Sequence, residues 1–287
     1  MEKTAATTES PSGSRVTVAP STPIIGAEIA GVDLREPESS ELSAGFRRLL
    51  AQHKVLFFRD QELNTAQHVS FARSFGSILT FSGAREDHPE YPGVQIVPGK
   101  TSLPRSDGGR ETGMWHIDAS SIVVAPFATI VRAVVIPPVG GDTIWANLAA
   151  AYEGLSDELK QKIDGLYLTH GSTEHLRQRG ADYPLLSRPI VRTHPETGEK
   201  VLHIDLLFHP LIIGWNPRES DQLVQKLTEE ATRPEYRVRF RWSPGAIAVW
   251  DNRAVHHYAV YDYGDFPRRM ERILVAEPTL PLVEQLI

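Results

Sequence analysis

The 287-residue chain contains no cysteine. Disulfides, thiolate metal sites and a cysteine nucleophile are therefore excluded, and any metal must sit on nitrogen and oxygen ligands. No apolar run approaches the roughly 20 residues of a membrane span, and the N-terminus lacks the apolar core of a secretory signal. Basic charge is not in excess. Lys and Arg number 30 against 36 Asp and Glu, for a net charge of −6, which gives no support to nucleic-acid binding. Neither Gly-x-Ser-x-Gly nor His-Glu-x-x-His occurs, so two hydrolase signatures are missing. The expectation is a soluble, cytoplasmic protein with no membrane or nucleic-acid partner. Its 41% hydrophobic and 23% charged residues are ordinary for a globular chain, and its length can bury a sizeable core.

Residues 1–20 are rich in Ser, Thr, Pro and Ala. They offer little to bury and are expected to form a disordered tail, with one domain over 21–287. Strand signals recur at 54–58, 93–97, 128–136, 236–242, 245–250 and 272–277. The clearest is "YRVRFRW", where Tyr236, Val238, Phe240 and Trp242 alternate with Arg237, Arg239 and Arg241. Helical patterns fit 40–52, 65–75, 147–164 with a break near Gly154, and 219–232. Strands carry the second half and helices decorate it, which suggests a β-sandwich or jelly roll with helical additions. Residues 98–114, rich in Gly, Pro, Ser and Arg, resemble either a lid or a plain surface loop.

The triplet His-Ile-Asp occurs twice, in "GMWHIDASS" at His116 and in "KVLHIDLLF" at His203. In extended backbone, alternate side chains share a face, so each copy presents an imidazole beside a carboxylate. A third ligand is offered far downstream by "VWDNRAVHHYAVYDY", where adjacent His256 and His257 must point to opposite faces. Two histidines and one aspartate with open positions suit non-haem Fe(II) oxygenases. The same residues could hold zinc, and residue chemistry alone leaves that choice open.

The chain resembles the Fe(II)/2-oxoglutarate-dependent dioxygenases of the taurine dioxygenase and phenoxyacetate (2,4-D) dioxygenase family. The resemblance runs in order through "IGAEIAGVDL", "HKVLFFRDQ", "FARSFG", "WHID", "PPVGGDTIWANLAAAYEGLS", "HPETG", "WDNRAVHHYAVYDY" and "RRMER". It implies a double-stranded β-helix (jelly roll) core decorated by α-helices, with Fe(II), 2-oxoglutarate and O2 as cofactors and co-substrates. It implies His116, Asp118 and His257 as metal ligands and catalytic residues. The second triplet is then structural or pocket-lining, with Asp205 at an asparagine position of the family, and His256 should point away from the metal.

By the same resemblance, Arg268, eleven residues past His257, anchors the far carboxylate of 2-oxoglutarate, with Thr143 as its hydroxyl partner. A planar guanidinium suits that task because it gives two parallel hydrogen bonds. Arg272 matches a position that holds a substrate anion. The bland alternative for it is an ion pair with Glu271 or Glu277. Thr112, Leu207 and Phe208 are further expected substrate contacts. The implied reaction is oxidation of a C–H bond in a small, partly hydrophobic substrate bearing a carboxylate, sulfonate or sulfate, with succinate and CO2 as co-products. Family members are commonly homo-oligomers.

The pattern departs from the family in three places, one of them the taurine enzymes' "HPxYP" substrate segment, whose register "FSGAREDHPEYPG" at 81–93 does not match. Ser121 stands where an aromatic is common, and Leu211 where an arginine is common. An apolar wall of Leu206, Leu207, Phe208 and Leu211 would favour an aryloxyalkanoate, an alkyl sulfate, or a terpenoid or polyketide acid over taurine. The last of these would make the protein a natural-product tailoring oxygenase. Remote alternatives are a zinc hydrolase on the same ligands and a jelly-roll binding module without catalysis.

Overall fold

The computed structural model describes residues 7–9, 15–36, 39–80, 86–99, 114–170, 185–206 and 210–276. Unbroken apolar strands need cover on both faces, and Val55–Phe58 shows how they get it. Leu56 and Phe58 turn into one apolar cluster, Val55 and Phe57 into another. The neighbouring strand Ile247–Asp251 divides alike, with Ile247 and Val249 on one side and Ala248 and Trp250 on the other.

These strands sit centrally in the larger sheet. Its order is Thr7–Glu9, Arg15–Pro20, Ala27–Ala30, Val55–Phe58, Ile247–Asp251, Ala128–Val135, Arg269–Ala276, Tyr91–Pro98 and Glu86–His88. Among the described residues, only the pairing of Ala27–Ala30 with Val55–Phe58 is parallel in this sheet. One face is covered by helices Ser40–His53 and Thr65–Phe75, which contribute Phe46, Leu50, Phe71 and Phe75. The second helix starts at a reciprocal cap: Asn64 Oδ1 accepts the Gln67 N–H, and Gln67 Oε1 accepts the Asn64 N–H, both at 2.9 Å. The other face meets a three-stranded antiparallel sheet in the order Arg237–Phe240, Thr143–Asn147 and Val255–Ala259. Phe57 and Phe240 stack across the gap at 4.2 Å between centroids, and Trp145 meets Trp250 edge-on at 5.5 Å. The two facing sheets with a shared aromatic core form the expected jelly roll.

A third cluster joins helices Leu148–Glu153, Asp157–Ile163 and Pro217–Ala231 to the strands around Lys200–Leu202. The expected break near Gly154 is real. The first helix ends there, and Ser156 caps the next through the Leu159 N–H. Among the described residues no helix is long and apolar enough to cross a membrane.

Two boundaries are corrected. The tail expected over 1–20 includes a strand, Arg15–Pro20, whose Val16 and Val18 alternate into the core and pair it with Ala27–Ala30. The strand expected over 236–242 is shorter, Arg237–Phe240, because Pro234 starts a 3-10 turn that takes in Tyr236. Its alternation holds, with Val238, Phe240 and Trp242 buried and Arg239 and Arg241 exposed.

Candidate active site

His257 lies on the strand Val255–Ala259 at the free edge of the smaller sheet. The backbone of His116 extends that edge. His116 N–H bonds the His257 carbonyl at 3.1 Å, and the return bond is 3.0 Å. The paired backbones bring the two imidazoles to 3.9 Å between centroids. Asp118, two residues on, closes the group. Its Oδ1 is 3.9 Å from His116 Nε2 and its Oδ2 is 3.7 Å from His257 Nε2. One ligand atom from each residue lies within 4.8 Å of the others. The expected three residues are therefore brought together in one cluster.

Their surroundings fit a divalent cation. His116 Nδ1–H donates to the Met114 carbonyl at 2.8 Å, which leaves the lone pair of Nε2 free to bind a metal. Burial, reinforced by His116 and opposed by Asp118, holds His257 well below its ordinary pKa, so its imidazole is neutral. Asp118 is buried, and it accepts a hydrogen bond from the Thr129 hydroxyl on Oδ2 and another from Arg272 Nη1 on Oδ1.

Among the described residues, the second triplet joins no group of three metal-ligating side chains. His203 packs beside His170 with centroids 5.1 Å apart. Asp205 is fully buried and accepts the Ser120 hydroxyl at 2.6 Å and the Ile117 N–H at 3.3 Å. It braces the loop that carries the first triplet. His256 turns away from the site, as expected, and its Nε2–H meets the Ile204 carbonyl. Burial lowers its pKa to about 4.

Arg268 is buried, and among the described residues no carboxylate pairs with it. Its Nε bonds nothing there, and its guanidinium lies 5.8 Å from the Tyr263 ring. An unpaired buried cation costs several kcal/mol, so this one calls for an anion. The Gly140–Gly141 turn packs close against Asp262 and Arg268. Both glycines have positive φ, and a Cβ on Gly140 would come within 2.5 Å of Asp262. A Cβ on Gly141 would lie 3.4 Å from Arg268 Nε. Thr143 follows that turn. It is buried, and its Oγ1 accepts the Trp242 indole N–H at 3.0 Å. A hydroxyl proton is left to donate.

Arg272 does not pair with Glu271. The strand alternation sends Glu271 to the opposite face, where Arg132 binds it at 2.7 Å. Arg272 reaches Asp118, and Gln95 Oε1 accepts from its Nε at 3.0 Å and its Nη2 at 2.6 Å. Gln95 carried no motif. Its only signal was its place on the strand Tyr91–Pro98, whose pairing partner could not be read from sequence. Leu211, expected in an apolar wall, is 40% exposed and pairs with Thr169 at the surface. Leu206 packs against the helical cluster. Thr112, Leu207, Phe208 and Glu277 lie outside the described residues, as does the expected lid except Pro98, Gly99 and Met114.

A jelly roll that offers two imidazoles and one carboxylate to one metal position defines a mononuclear non-haem metal enzyme. Comparison with known proteins narrows the class. Residues 17–274 match the family model described as "Taurine catabolism dioxygenase TauD, TfdA family". The chain is 35% identical over 271 residues to the alpha-ketoglutarate-dependent sulfate ester dioxygenase of Pseudomonas putida, covering 88% of this chain and 86% of that one. It is 31% identical over 255 residues to the alpha-ketoglutarate-dependent 2,4-dichlorophenoxyacetate dioxygenase of Cupriavidus pinatubonensis, covering 82% and 88%. The crystal structure of a taurine dioxygenase from Burkholderia xenovorans superposes with a TM-score of 0.79 at 39% identity, covering 91% of each chain. The chain belongs to the TauD/TfdA family. It is an oxidoreductase of the Fe(II)/2-oxoglutarate-dependent dioxygenase class.

Proposed function

We propose that His116, Asp118 and His257 hold the iron, that Arg268 and Thr143 bind 2-oxoglutarate, and that Arg272 binds a sulfate, sulfonate or carboxylate on a partly hydrophobic substrate. The observation that carries the substrate assignment is Arg272, a half-buried guanidinium that touches Asp118 and is aligned by Gln95. A cation at that place brings an anionic substrate to the reacting centre. Named activities of relatives agree, since one acts on sulfate esters and another on an aryloxyacetate.

When bound, iron and 2-oxoglutarate supply oxygen activation and C–H oxidation, with succinate and CO2 as co-products. The chain's own residues bind, orient and exclude water. His116, fixed by Met114, presents Nε2, while His257 and Asp118 complete one face. Arg268 receives the far carboxylate in a desolvated place, where a fork-to-carboxylate pair is strongest. Trp250 packs against His257 at 4.9 Å, shielding that residue. With a primary alkyl sulfate, hydroxylation of the ester-bearing carbon would give an unstable adduct that expels sulfate and leaves an aldehyde.

The reading carries one catalytic domain from residue 15 onward, a cytoplasmic location, which the absence of cysteine favours, and assembly as a homo-oligomer. The test is substrate-stimulated succinate release across alkyl sulfates, alkyl sulfonates and aryloxyalkanoates. Stimulation by at least one anionic class, and not by its neutral alcohol counterpart, is expected. Stimulation by neutral compounds alone would overturn the assignment of Arg272.

A further inference from the structure

Four buried residues form one line of hydrogen bonds that ends on the candidate metal ligand Asp118. The Trp250 indole N–H donates to Asn252 Oδ1 at 3.0 Å. Asn252 Nδ2 donates to Thr129 Oγ1 at 2.6 Å, and the Thr129 hydroxyl donates to Asp118 Oδ2 at 3.0 Å. Thr129 is fully buried, and the other three residues are 2–3% exposed.

The chain can run in only one direction. An indole N–H donates and never accepts. It therefore requires the oxygen of the Asn252 carboxamide to face it, which turns the amide nitrogen toward Thr129. A nitrogen that donates makes the Thr129 oxygen an acceptor. The hydroxyl proton then points at Asp118. The direction is thus set by a group three links away, and the carboxylate always meets a donor.

The position of this line matters as much as its polarity. Asn252 occupies the turn between the strands Ile247–Asp251 and Val255–Ala259, and the second of these carries His257. The turn is pinned. Asn252 N–H bonds the Phe127 carbonyl at 2.9 Å. Next to it, buried Asp251 receives Arg253 Nη2 at 2.7 Å and His194 Nε2 at 3.0 Å. Thr129 lies on the strand Ala128–Val135, directly opposite Trp250. One rigid turn therefore fixes both a histidine ligand and, through two side chains, the orientation of the carboxylate.

We propose that Thr129 and Asn252 are positioning residues, which hold Asp118 in the orientation that receives the metal through a one-way chain begun by Trp250. The inference rests on the reading of Asp118 as a ligand. Partners one layer behind metal ligands typically govern affinity by roughly 10- to 100-fold.

The test is an anaerobic titration of metal-free enzyme with Fe(II), and in parallel with Mn(II), in the presence of 2-oxoglutarate. Thr129→Val keeps the shape and removes the hydroxyl. It should weaken metal binding roughly 10- to 100-fold, and it should lower the melting temperature of the metal-free protein modestly, because Asn252 Nδ2 loses its buried acceptor. Thr129→Ser restores the hydroxyl and should recover affinity to within about threefold, which a packing role would not produce. Asn252→Asp removes the amide donor and offers the Thr129 proton a competing carboxylate. It should weaken binding comparably, and adding Thr129→Val should cost little more, because both break the same chain. Asn252→Asp also serves if Thr129→Val fails to fold. Parent-like metal affinity in Thr129→Val, or equal losses in its Val and Ser variants, would overturn the inference. Asp118→Ala separates the two layers of the argument. If it abolishes metal binding while Thr129→Val keeps the parent's affinity, the ligand assignment stands and the chain does not. If it binds metal normally, the ligand assignment itself fails.

Discussion

The Asp205 carboxylate accepts a 2.6 Å hydrogen bond from the Ser120 hydroxyl. It also takes the N–H of Ile117, which sits between the two candidate ligands of the first triplet. The second His-Ile-Asp is therefore a brace for the first. Removing a buried acceptor leaves its donors unsatisfied, at about 1–3 kcal/mol each. Asp205→Ala should lower the melting temperature measurably and weaken Fe(II) binding. His203→Ala should spare metal binding. Calorimetric melting and anaerobic metal titration check both. A metal-free, folded His203→Ala protein would reverse the choice of triplet.

Arg268 offers a buried cation that no described carboxylate neutralises. Truncating one partner of a buried ion pair costs about 2–5 kcal/mol. Arg268→Ala should accordingly raise KM for 2-oxoglutarate by roughly 30-fold or more, at 1.4 kcal/mol per factor of ten. The ligand-free protein should lose little stability, because a desolvated charge has been removed along with its cost. Initial rates of succinate formation decide the matter, and an unchanged KM would exclude Arg268 as the anchor.

Gln95 aligns Arg272 by accepting from two of its nitrogens. Hydrogen bonds to charged groups are worth about 1.5–3 kcal/mol. Gln95→Leu should therefore raise KM for the anionic substrate about 10-fold while leaving KM for 2-oxoglutarate near its parent value. It should also increase succinate release per oxidised product, since a misplaced substrate uncouples the two. Equal shifts in both KM values would show that Gln95 acts on the whole site instead.

Two buried histidines link stability to pH. Burial, with Arg188 and Arg192 adding to it, lowers His170 to about 4. Burial lowers His256 to about 4 as well. Above pH 6.5 both are neutral whether folded or unfolded. As pH falls from 6.5 toward 4 only the unfolded chain takes up the protons, so stability is lost across that window, on the order of 2–3 kcal/mol per histidine. The melting temperature should fall between pH 7 and pH 4.5, and His170→Gln should fall less steeply. Parallel profiles for parent and variant would contradict the assignment.

Much of the site was legible because its parts are local or carry a period. His116 and Asp118 share a face by strand alternation, and adjacent His256 and His257 had to diverge. The helix Thr65–Phe75 was legible from its apolar period and the break at Gly154 from its glycine. The residues that were missed act across distance in the sequence. Gln95 meets Arg272 only because their strands pair. Asn252 meets Thr129 across 123 positions, and Asp205 reaches Ser120 across 85. No local pattern encodes such contacts, and a polar side chain in an apolar strand, such as Thr129, reads as an ordinary interruption. The strand Arg15–Pro20 was missed for another reason. Its two valines stand in a Ser- and Pro-rich context, and only pairing with Ala27–Ala30 makes them core.

The most direct measurement of the central claim is the visible spectrum of Fe(II) and 2-oxoglutarate added anaerobically to the metal-free enzyme. The parent and His203→Ala should show the weak charge-transfer band of iron chelated by a 2-oxo acid, and His257→Ala should not. A band that survives in His257→Ala and disappears in His203→Ala, with both proteins folded, would contradict the account.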